Sequence, residues 1–187
     1  MSSSRIKTIQ TDFFATLQGP ANDFLSTTAG LVVEKIICDD FIILSNGNQA
    51  HNFTCQYHIT GEDLQRQLVQ LIMRDSVLDL KAAINAAITA LVEEDNEILD
   101  IQRCDAILDN GNKFYCACLI YEPSEEPSIG LQVNIIEKDT VADLQTAVNV
   151  FLATAIDLNT IGVLRQEMIL ENGNRVYTCT IPYTIPG

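Results

Sequence analysis

Three Asn-Gly turns at nearly equal spacing constrain the fold of this chain more than any other feature. Two of them are closely similar, Asp109-Asn110-Gly111-Asn112-Lys113 and Glu171-Asn172-Gly173-Asn174-Arg175, and Ser45-Asn46-Gly47-Asn48-Gln49 is a weaker copy. An Asn-Gly pair between β-forming residues predicts a hairpin, because a type I′ turn needs positive φ at both central residues. The first asparagine of the turn moves by 64 and then by 62 residues. The spacing therefore predicts a chain built of three repeats.

The similarity of the second and third copies extends well beyond the turns. Residues 72–80 and 136–144 share the pattern Ile-x-x-Asp-Ser/Thr-Val-x-Asp-Leu, and residues 103–109 match 165–171 in charge and apolar character. Self-similarity at a fixed period is typical of repeat architectures, in which each copy is one supersecondary unit.

The repeated segments predict the elements of one unit. Ser76 and Thr140 are predicted helix N-caps, since Asp79 and Asp143 stand three residues later in the acidic position of a capping box. Apolar residues then recur at spacings of three and four, so each helix has one apolar face that packs on a sheet. β-like runs at about 67–73 and 131–137 precede the helices.

We therefore predict an α+β fold of three consecutive βαββ repeats, each about 63 residues long, which share one core. Its sheet is expected to be mixed, with the helices packed on one side. Strands joined by a helix should run parallel, whereas the two arms of each hairpin should be antiparallel. The chain is predicted to be a single domain over 1–187, with a divergent repeat one at 1–60, repeat two at 64–121 and repeat three at 128–185.

Prolines modify this scheme at two places. Pro20 falls where the other copies have uninterrupted helix, so the first helix is predicted to start near Pro20 and to leave 11–19 as a turn. The prolines of 181–187 are predicted to end the last strand, because they cannot donate to a β ladder.

Charge and cysteine content restrict the function classes. The formal charge of −14 repels nucleic acid and anionic lipid, and the basic residues are scattered, so we expect no direct nucleic-acid binding. Membrane association is not expected either, since no stretch approaches the roughly 20 apolar residues that span a bilayer. The six cysteines lie mostly in strand-like runs, which is typical of small buried hydrophobes in a reducing, cytoplasmic protein.

Catalytic and metal-binding motifs give little support for an enzyme. There is no Gly-x-Ser-x-Gly nucleophile elbow and no glycine-rich phosphate loop before a helix. Cys116 and Cys118 would supply half of a thiolate zinc site, but no second closely spaced pair exists, and His51 and His58 belong to another repeat. We therefore predict no metal, no cofactor and no catalytic residue.

Five polar residues are the candidates for binding a ligand or a partner. Asn22, Asn85 and Asn149 occupy one site of the predicted helix in all three copies, although asparagine is a poor helix former. Each amide either ties its helix to the backbone of an adjacent strand, or the three converge on a ligand. Arg103 and Arg165 are each followed two residues later by an acid on the same strand face, so they either form ladder pairs at an exposed face or a repeat interface, or donate to the carboxylate of a partner.

These features favour a non-enzymatic structural or protein-protein interaction module in a homo-oligomeric or larger assembly, with a protein partner or self-association. Two alternatives stay open. One is a small-ligand binder or enzyme with its site between repeats, and the other is an acidic nucleic-acid mimic or inhibitor, which would need rows of carboxylates on one exposed face.

Overall fold

A computed structural model gives the fold and describes residues 4–43, 49–60, 67–107, 112–154, 158–170 and 173–185. The elements in chain order are β1 (Arg5–Thr11), α1 (Phe14–Thr27), β2 (Leu31–Ile43), β3 (Gln49–Ile59), β4 (Leu68–Arg74), α2 (Val77–Glu93), β5 (Asn96–Arg103), β6 (Ala106–Ile107), β7 (Lys113–Pro123), β8 (Leu131–Lys138), α3 (Val141–Thr154), β9 (Asn159–Thr160), β10 (Leu164–Ile169) and β11 (Arg175–Thr184). The fold is α+β, as the sequence predicts.

The strands form three small sheets. The first sheet has the order β1-β3-β2, the second β4-β7-β5 with β6 also on β7, and the third β8-β11-β10 with β9 also on β11. In each sheet the last strand along the chain (β3, β7 or β11) lies in the centre. Every strand pairing among the described residues is antiparallel.

The strands on either side of each helix are arranged differently from the expected parallel pair in a mixed sheet. β1 and β2 run in the same direction, but they do not pair, because β3 lies between them and is antiparallel to both. The same holds for β4 and β5 around β7, and for β8 and β10 around β11. The central strand of each sheet hydrogen-bonds to the backbones of both neighbouring strands at once. The helical connection between those two neighbours is long enough to leave space for it.

The hairpin arms pair antiparallel, as predicted: β2 with β3, β5 and β6 with β7, and β10 with β11. The turn residues Asn46, Asn110 and Asn172 lie outside the described residues. Gly173 is described and has a φ of 79°, the left-handed backbone conformation that glycine adopts at no steric cost.

Helices α2 and α3 begin at the predicted caps. The Ser76 hydroxyl accepts a hydrogen bond from the N–H of Asp79 at 3.1 Å, and Thr140 accepts from Asp143 at the same distance. Each satisfies an N–H group that has no partner within the helix. No helix in the described part of the chain is both long enough and apolar enough to cross a membrane.

Helix α1 corrects the prediction that it starts near Pro20, because it begins at Phe14 and contains Pro20 in its interior. The proline leaves the carbonyl of Thr16 without its helical donor, but both residues are exposed and water can take that place. The opposite face buries Phe14, Leu17 and further apolar side chains. This burial outweighs a proline penalty of about 3 kcal/mol.

The last strand also differs from its prediction, because β11 continues through Pro182 to Thr184. Pro182 lies opposite Val133 on the edge strand β8. Both backbone polar groups of Val133 bond to the side chain of Asn85 instead, so a backbone N–H on Pro182 is not needed there. The Pro182 carbonyl accepts from the N–H of Ile161 at 2.9 Å.

The core is concentrated where one sheet meets the next. One large cluster joins α1 and the first sheet to Val69 and Ile120 of the second sheet. Another joins α2 and the second sheet to Val133 and Val176 of the third sheet. Helix α3 packs against its own sheet in a smaller cluster around Leu144. Helices α1 and α2 therefore each cover two sheets.

Candidate functional site

Asn22 joins helix α1 to the edge of the second sheet. Its side-chain nitrogen donates to the carbonyl oxygen of Val69 at 2.9 Å, and its Oδ1 accepts from the N–H of Val69 at 2.8 Å. One turn earlier, Oε1 of Gln18 accepts from the N–H of Leu71 at 2.9 Å. Because β4 is an edge strand, these backbone groups face no neighbouring strand, and the helix side chains satisfy them instead.

Asn85 makes the same pair of bonds between helix α2 and the edge of the third sheet. Its amide nitrogen donates to the Val133 carbonyl at 3.1 Å, and its Oδ1 accepts from the Val133 N–H at 2.7 Å. One turn earlier, Lys81 donates to the side-chain oxygen of Asn134 at 2.7 Å. We call the two-bond contacts Asn22 to Val69 and Asn85 to Val133 the amide clamps. For Asn22 and Asn85, the contacts are those of the first interpretation given above, in which each amide ties its helix to the backbone of an adjacent strand.

Asn149 lies at the matching position of α3, but it is exposed. Within the described residues, its side chain and that of Gln145, one turn earlier, make no hydrogen bond. The residue three positions after each asparagine shows the same contrast. Leu25 and Ile88 are each 1% exposed, whereas Leu152 is 37% exposed. The face of α3 around Asn149 therefore has the chemistry of an amide clamp without a strand to hold.

Arg103 is buried at the junction of the second and third sheets. Its guanidinium donates two bonds to the carboxylate of Asp105, at 2.6 and 2.7 Å, one to the carbonyl of Cys116 and one to the hydroxyl of Thr180. Thr178 also donates to Asp105, at 3.0 Å. Burial raises the pKa of Asp105 above its usual value, and the bonds from Arg103 oppose that shift. Four of the five N–H donors of Arg103 are engaged inside the protein, two of them with Asp105.

Arg165, the counterpart of Arg103 in the sequence, is exposed. Its guanidinium carbon lies 5.4 Å from the centre of the Tyr177 ring, a cation–π arrangement. The acid two residues later, Glu167, pairs with Arg175 at 2.8 Å rather than with Arg165. Arg165 thus keeps its hydrogen-bond donors available to solvent or to a ligand, unlike Arg103.

Arg103 and Arg165 line one cleft, so the structure brings these two candidates together. The cleft has a volume of about 410 Å³ and lies between β2, β5 and β10, the edge strands of the three sheets. Its lining carries a further cation, Lys35, and two amides, Gln102 and Gln166. Asn22 and Asn85 bind separate strands outside this lining, and Asn149 does not line the cleft either.

The two glutamines hold the edges of the cleft together. Gln102 donates to the carbonyl of Ile36 at 2.6 Å and accepts from the N–H of Cys38 at 3.0 Å, which ties β5 to β2. Gln166 donates to the carbonyl of Arg103, which ties β10 to β5. Oε1 of Gln166 is buried and has no hydrogen-bond partner among the described residues. The cleft thus presents two exposed cations, Lys35 and Arg165, together with the carboxylate of Asp100.

The six cysteines are free and buried, as the sequence predicts for small core residues. The sulfur atoms of Cys38 and Cys118 lie 3.0 Å apart, across the junction of the first and second sheets. Burial raises the pKa of the Cys55 thiol to about 11, and it also raises the pKa values of Cys116 and Cys118. These thiols stay protonated near neutral pH and are weak nucleophiles.

The two histidines occupy different environments. His51 is buried with its ring 5.5 Å from that of Phe14, and burial lowers its pKa. His58 contacts Glu34 at 3.0 Å on the surface; the pKa of Glu34 is lowered, first by the hydroxyl of Ser4 and then by His58. Among the residues the structure describes, no three His, Cys, Asp or Glu side chains form a metal-binding group.

Several residues of these contacts were not singled out from the sequence. Gln18 and Gln145 stand four residues before Asn22 and Asn149, but the second copy has Lys81 there, which hides the pattern. Gln102 and Gln166 do not stand at matching positions, because residues 103–109 match 165–171 and Gln166 therefore corresponds to Cys104. The repeat spacing was therefore a signal for Gln18 and Gln145, whereas it does not mark Gln102 and Gln166.

Comparison with known proteins finds no matching protein family, no matching curated protein and no matching solved structure.

Proposed function

We propose that this protein is a non-enzymatic structural or protein-interaction module, built of three successive βαββ units, which binds a protein partner through the face of α3 around Asn149. One observation carries the proposal. Two helices use their asparagine and the apolar residue three positions later to hold a neighbouring sheet, and α3 presents the same pair unused. The partner that fits this face offers an exposed edge strand.

The chemistry of the contact is the same at each clamp. An edge strand presents backbone N–H and C=O groups that need partners, and an asparagine amide supplies one donor and one acceptor. An apolar side chain of the strand then packs near the helix residue that stands three positions after the asparagine. Recognition of an extended backbone together with an apolar anchor is a common mode of protein-protein binding.

Affinity capture with purified baits tests this proposal. The wild-type protein is compared with a variant that carries both Asn149→Ala and Leu152→Glu, and with the control Leu78→Glu, which changes a leucine of α2 that is 76% exposed. We expect a partner to be retained by the wild type and the control and lost by the double variant. A partner set that is the same for all three baits would overturn the proposed face.

A second candidate function is the binding of a small carboxylate-bearing molecule in the cleft between β2, β5 and β10. The observation that favours it is that the exposed cations Arg165 and Lys35 line the same cleft, which suits an anionic ligand. This candidate corresponds to the alternative of a small-ligand binder with its site between repeats, which the sequence leaves open.

Calorimetric titration with citrate, as a polycarboxylate probe, tests the second candidate. We expect Arg165→Gln to weaken binding about tenfold, because it removes a charge-assisted contact. The matched control is Arg175→Gln, which removes an exposed arginine that does not line the cleft. Equal heats for the wild type and Arg165→Gln would rule out this role for the cleft.

A further inference from the structure

Strand β1 is the counterpart of the strands that the amide clamps hold. It is the edge of the first sheet, as β4 and β8 are edges of the second and third sheets. Helices α1 and α2 cover β4 and β8, where Val69 and Val133 are fully buried. β1 is mostly exposed, and its Ile6 is 71% exposed.

The chain spacing identifies the residue of β1 that corresponds to the clamped valines. Val69 and Val133 each stand sixteen residues before the asparagine of their own unit, Asn85 and Asn149. Ile6 stands sixteen residues before Asn22. Ile6 is thus the position of β1 that an asparagine of another helix would hold, and no helix of the described chain does so.

We propose that α3 of one molecule binds β1 of a second copy of this chain, and that molecules associate head to tail in this way. The inference rests on the proposed function, since it names the partner of the α3 face. In the contact, the amide of Asn149 bonds to both backbone groups of Ile6. Oε1 of Gln145 accepts from the N–H of Thr8, as Gln18 accepts from Leu71.

The apolar surfaces of the two ends match in the same way. Leu25 and Val69 belong to one buried cluster, and Ile88 and Val133 belong to another. The corresponding pair between two molecules is Leu152 with Ile6, and both are exposed in the single chain. Association buries them together and removes an open sheet edge from water.

The local charges of the two ends are complementary. In the clamp of α1, Gln18 precedes Asn22 while its partner Leu71 follows Val69, so helix and strand run in opposite directions. Arg5 at the start of β1 therefore falls near the end of α3, whose last turn has no basic residue. The negative end of the helix dipole favours a cation there.

This contact is heterologous, because it joins two different surfaces of identical molecules. Such contacts produce closed rings when the rotation between copies closes, and open filaments when it does not. Each added molecule contacts α3 of the previous one through its β1. Within one chain, α1 contacts β4 and α2 contacts β8 in the same way. The net charge of −14 opposes association, so added salt should strengthen it by screening the repulsion.

Sedimentation velocity of the purified full chain over a range of concentration and salt tests the proposal. The wild type and the control Leu78→Glu should form dimers and larger species as concentration rises. Ile6→Glu should abolish assembly, and Asn149→Ala alone should weaken it about tenfold, because two hydrogen bonds are lost. The thermal unfolding of each variant at low concentration, where the chain is monomeric, shows that the fold is intact.

A mixing experiment distinguishes head-to-tail binding from a symmetric dimer. Ile6→Glu keeps an intact α3, and the Asn149→Ala, Leu152→Glu double variant keeps an intact β1. Their mixture should give a one-to-one dimer and nothing larger. A mixture that stays monomeric while the wild type assembles, or assembly that survives Ile6→Glu, overturns the proposal.

A wild-type chain that is monomeric at all concentrations and salts also overturns it. That result leaves the proposed function standing if the capture experiment still finds a protein that depends on Asn149. The two proposals therefore fail separately.

Discussion

Helices α2 and α3 share a local sequence pattern and lie in different surroundings. Both begin with a hydroxyl cap and an aspartate three residues later, and both carry an asparagine in mid-helix. Helix α2 buries five side chains, and α3 buries only Leu144 among its described residues. The difference lies outside the helices, because α2 has a sheet on each side and α3 has one.

Each helix thus has two separate packing faces, one for its own sheet and one for the next sheet. The helix face that packs on its own sheet is complete in α3 without a partner, as the cluster of Leu144 with Tyr177 and Cys179 shows. The face that would reach the next sheet keeps its amide and its leucine, although nothing in the described chain uses them.

The largest contrast in stability should appear between Arg103, which is buried between the second and third sheets, and the exposed Arg175. Arg103→Ala leaves the carboxylate of Asp105 buried without its partner, which should cost about 3–5 kcal/mol of unfolding free energy. The control Arg175→Ala breaks the exposed pair with Glu167 and should cost at most about 1 kcal/mol. Urea unfolding measures both. Equal losses would show that the junction does not depend on this ion pair.

The next contrast compares Ile88 of α2 with Leu152 of α3. Ile88→Ala opens a cavity in the core between two sheets and should destabilise the protein by about 3 kcal/mol. Leu152→Ala should cost less than about 1 kcal/mol in the monomer, since that side chain is partly solvated. Thermal unfolding at low protein concentration checks the pair. A large loss at Leu152 in the monomer would mean that its face is already covered.

The amide clamp gives a smaller effect of the same kind. Asn85→Ala removes two hydrogen bonds and leaves the buried N–H and carbonyl of Val133 without partners, which should cost about 2 kcal/mol. Asn149→Ala should change the monomer by no more than about 0.5 kcal/mol, because its side chain is exposed. Hydrogen exchange at Val133 should accelerate only in Asn85→Ala. No change there would contradict the clamp.

Local features of the fold were predictable from the sequence because local chemistry decides them. The caps at Ser76 and Thr140 and the strands before them need only neighbouring residues, and the structure confirms them. The expected parallel pairing was not found, because the choice of central strand depends on how a whole unit closes. Pro20 was misjudged for the same reason, since tertiary burial of α1 outweighs the local penalty.

In the candidate site too, the local sequence identifies the residues, whereas distant parts of the chain decide their surroundings. Recurrence in the sequence marked Asn22, Asn85 and Asn149 as equivalent, but occupancy of the clamp depends on whether a further sheet follows the helix. Arg103 and Arg165 have the same local motif and opposite environments. Thr178 and Thr180 of a distant strand bury the Arg103 pair, and no residue near Arg103 in the sequence could have indicated this.

The smallest prediction tests the feature that α2 and α3 share. Ser76→Ala and Thr140→Ala each remove a cap bond to an N–H of the helix's own first turn, and each should cost about 1 kcal/mol. Because the bond lies within one turn, the presence of a second sheet should not change the loss, and urea unfolding should give two equal values. A cap at Ser76 that costs much more than the one at Thr140 would show that the neighbouring sheet reaches the start of α2, and that the two helices differ along their whole length rather than on one face.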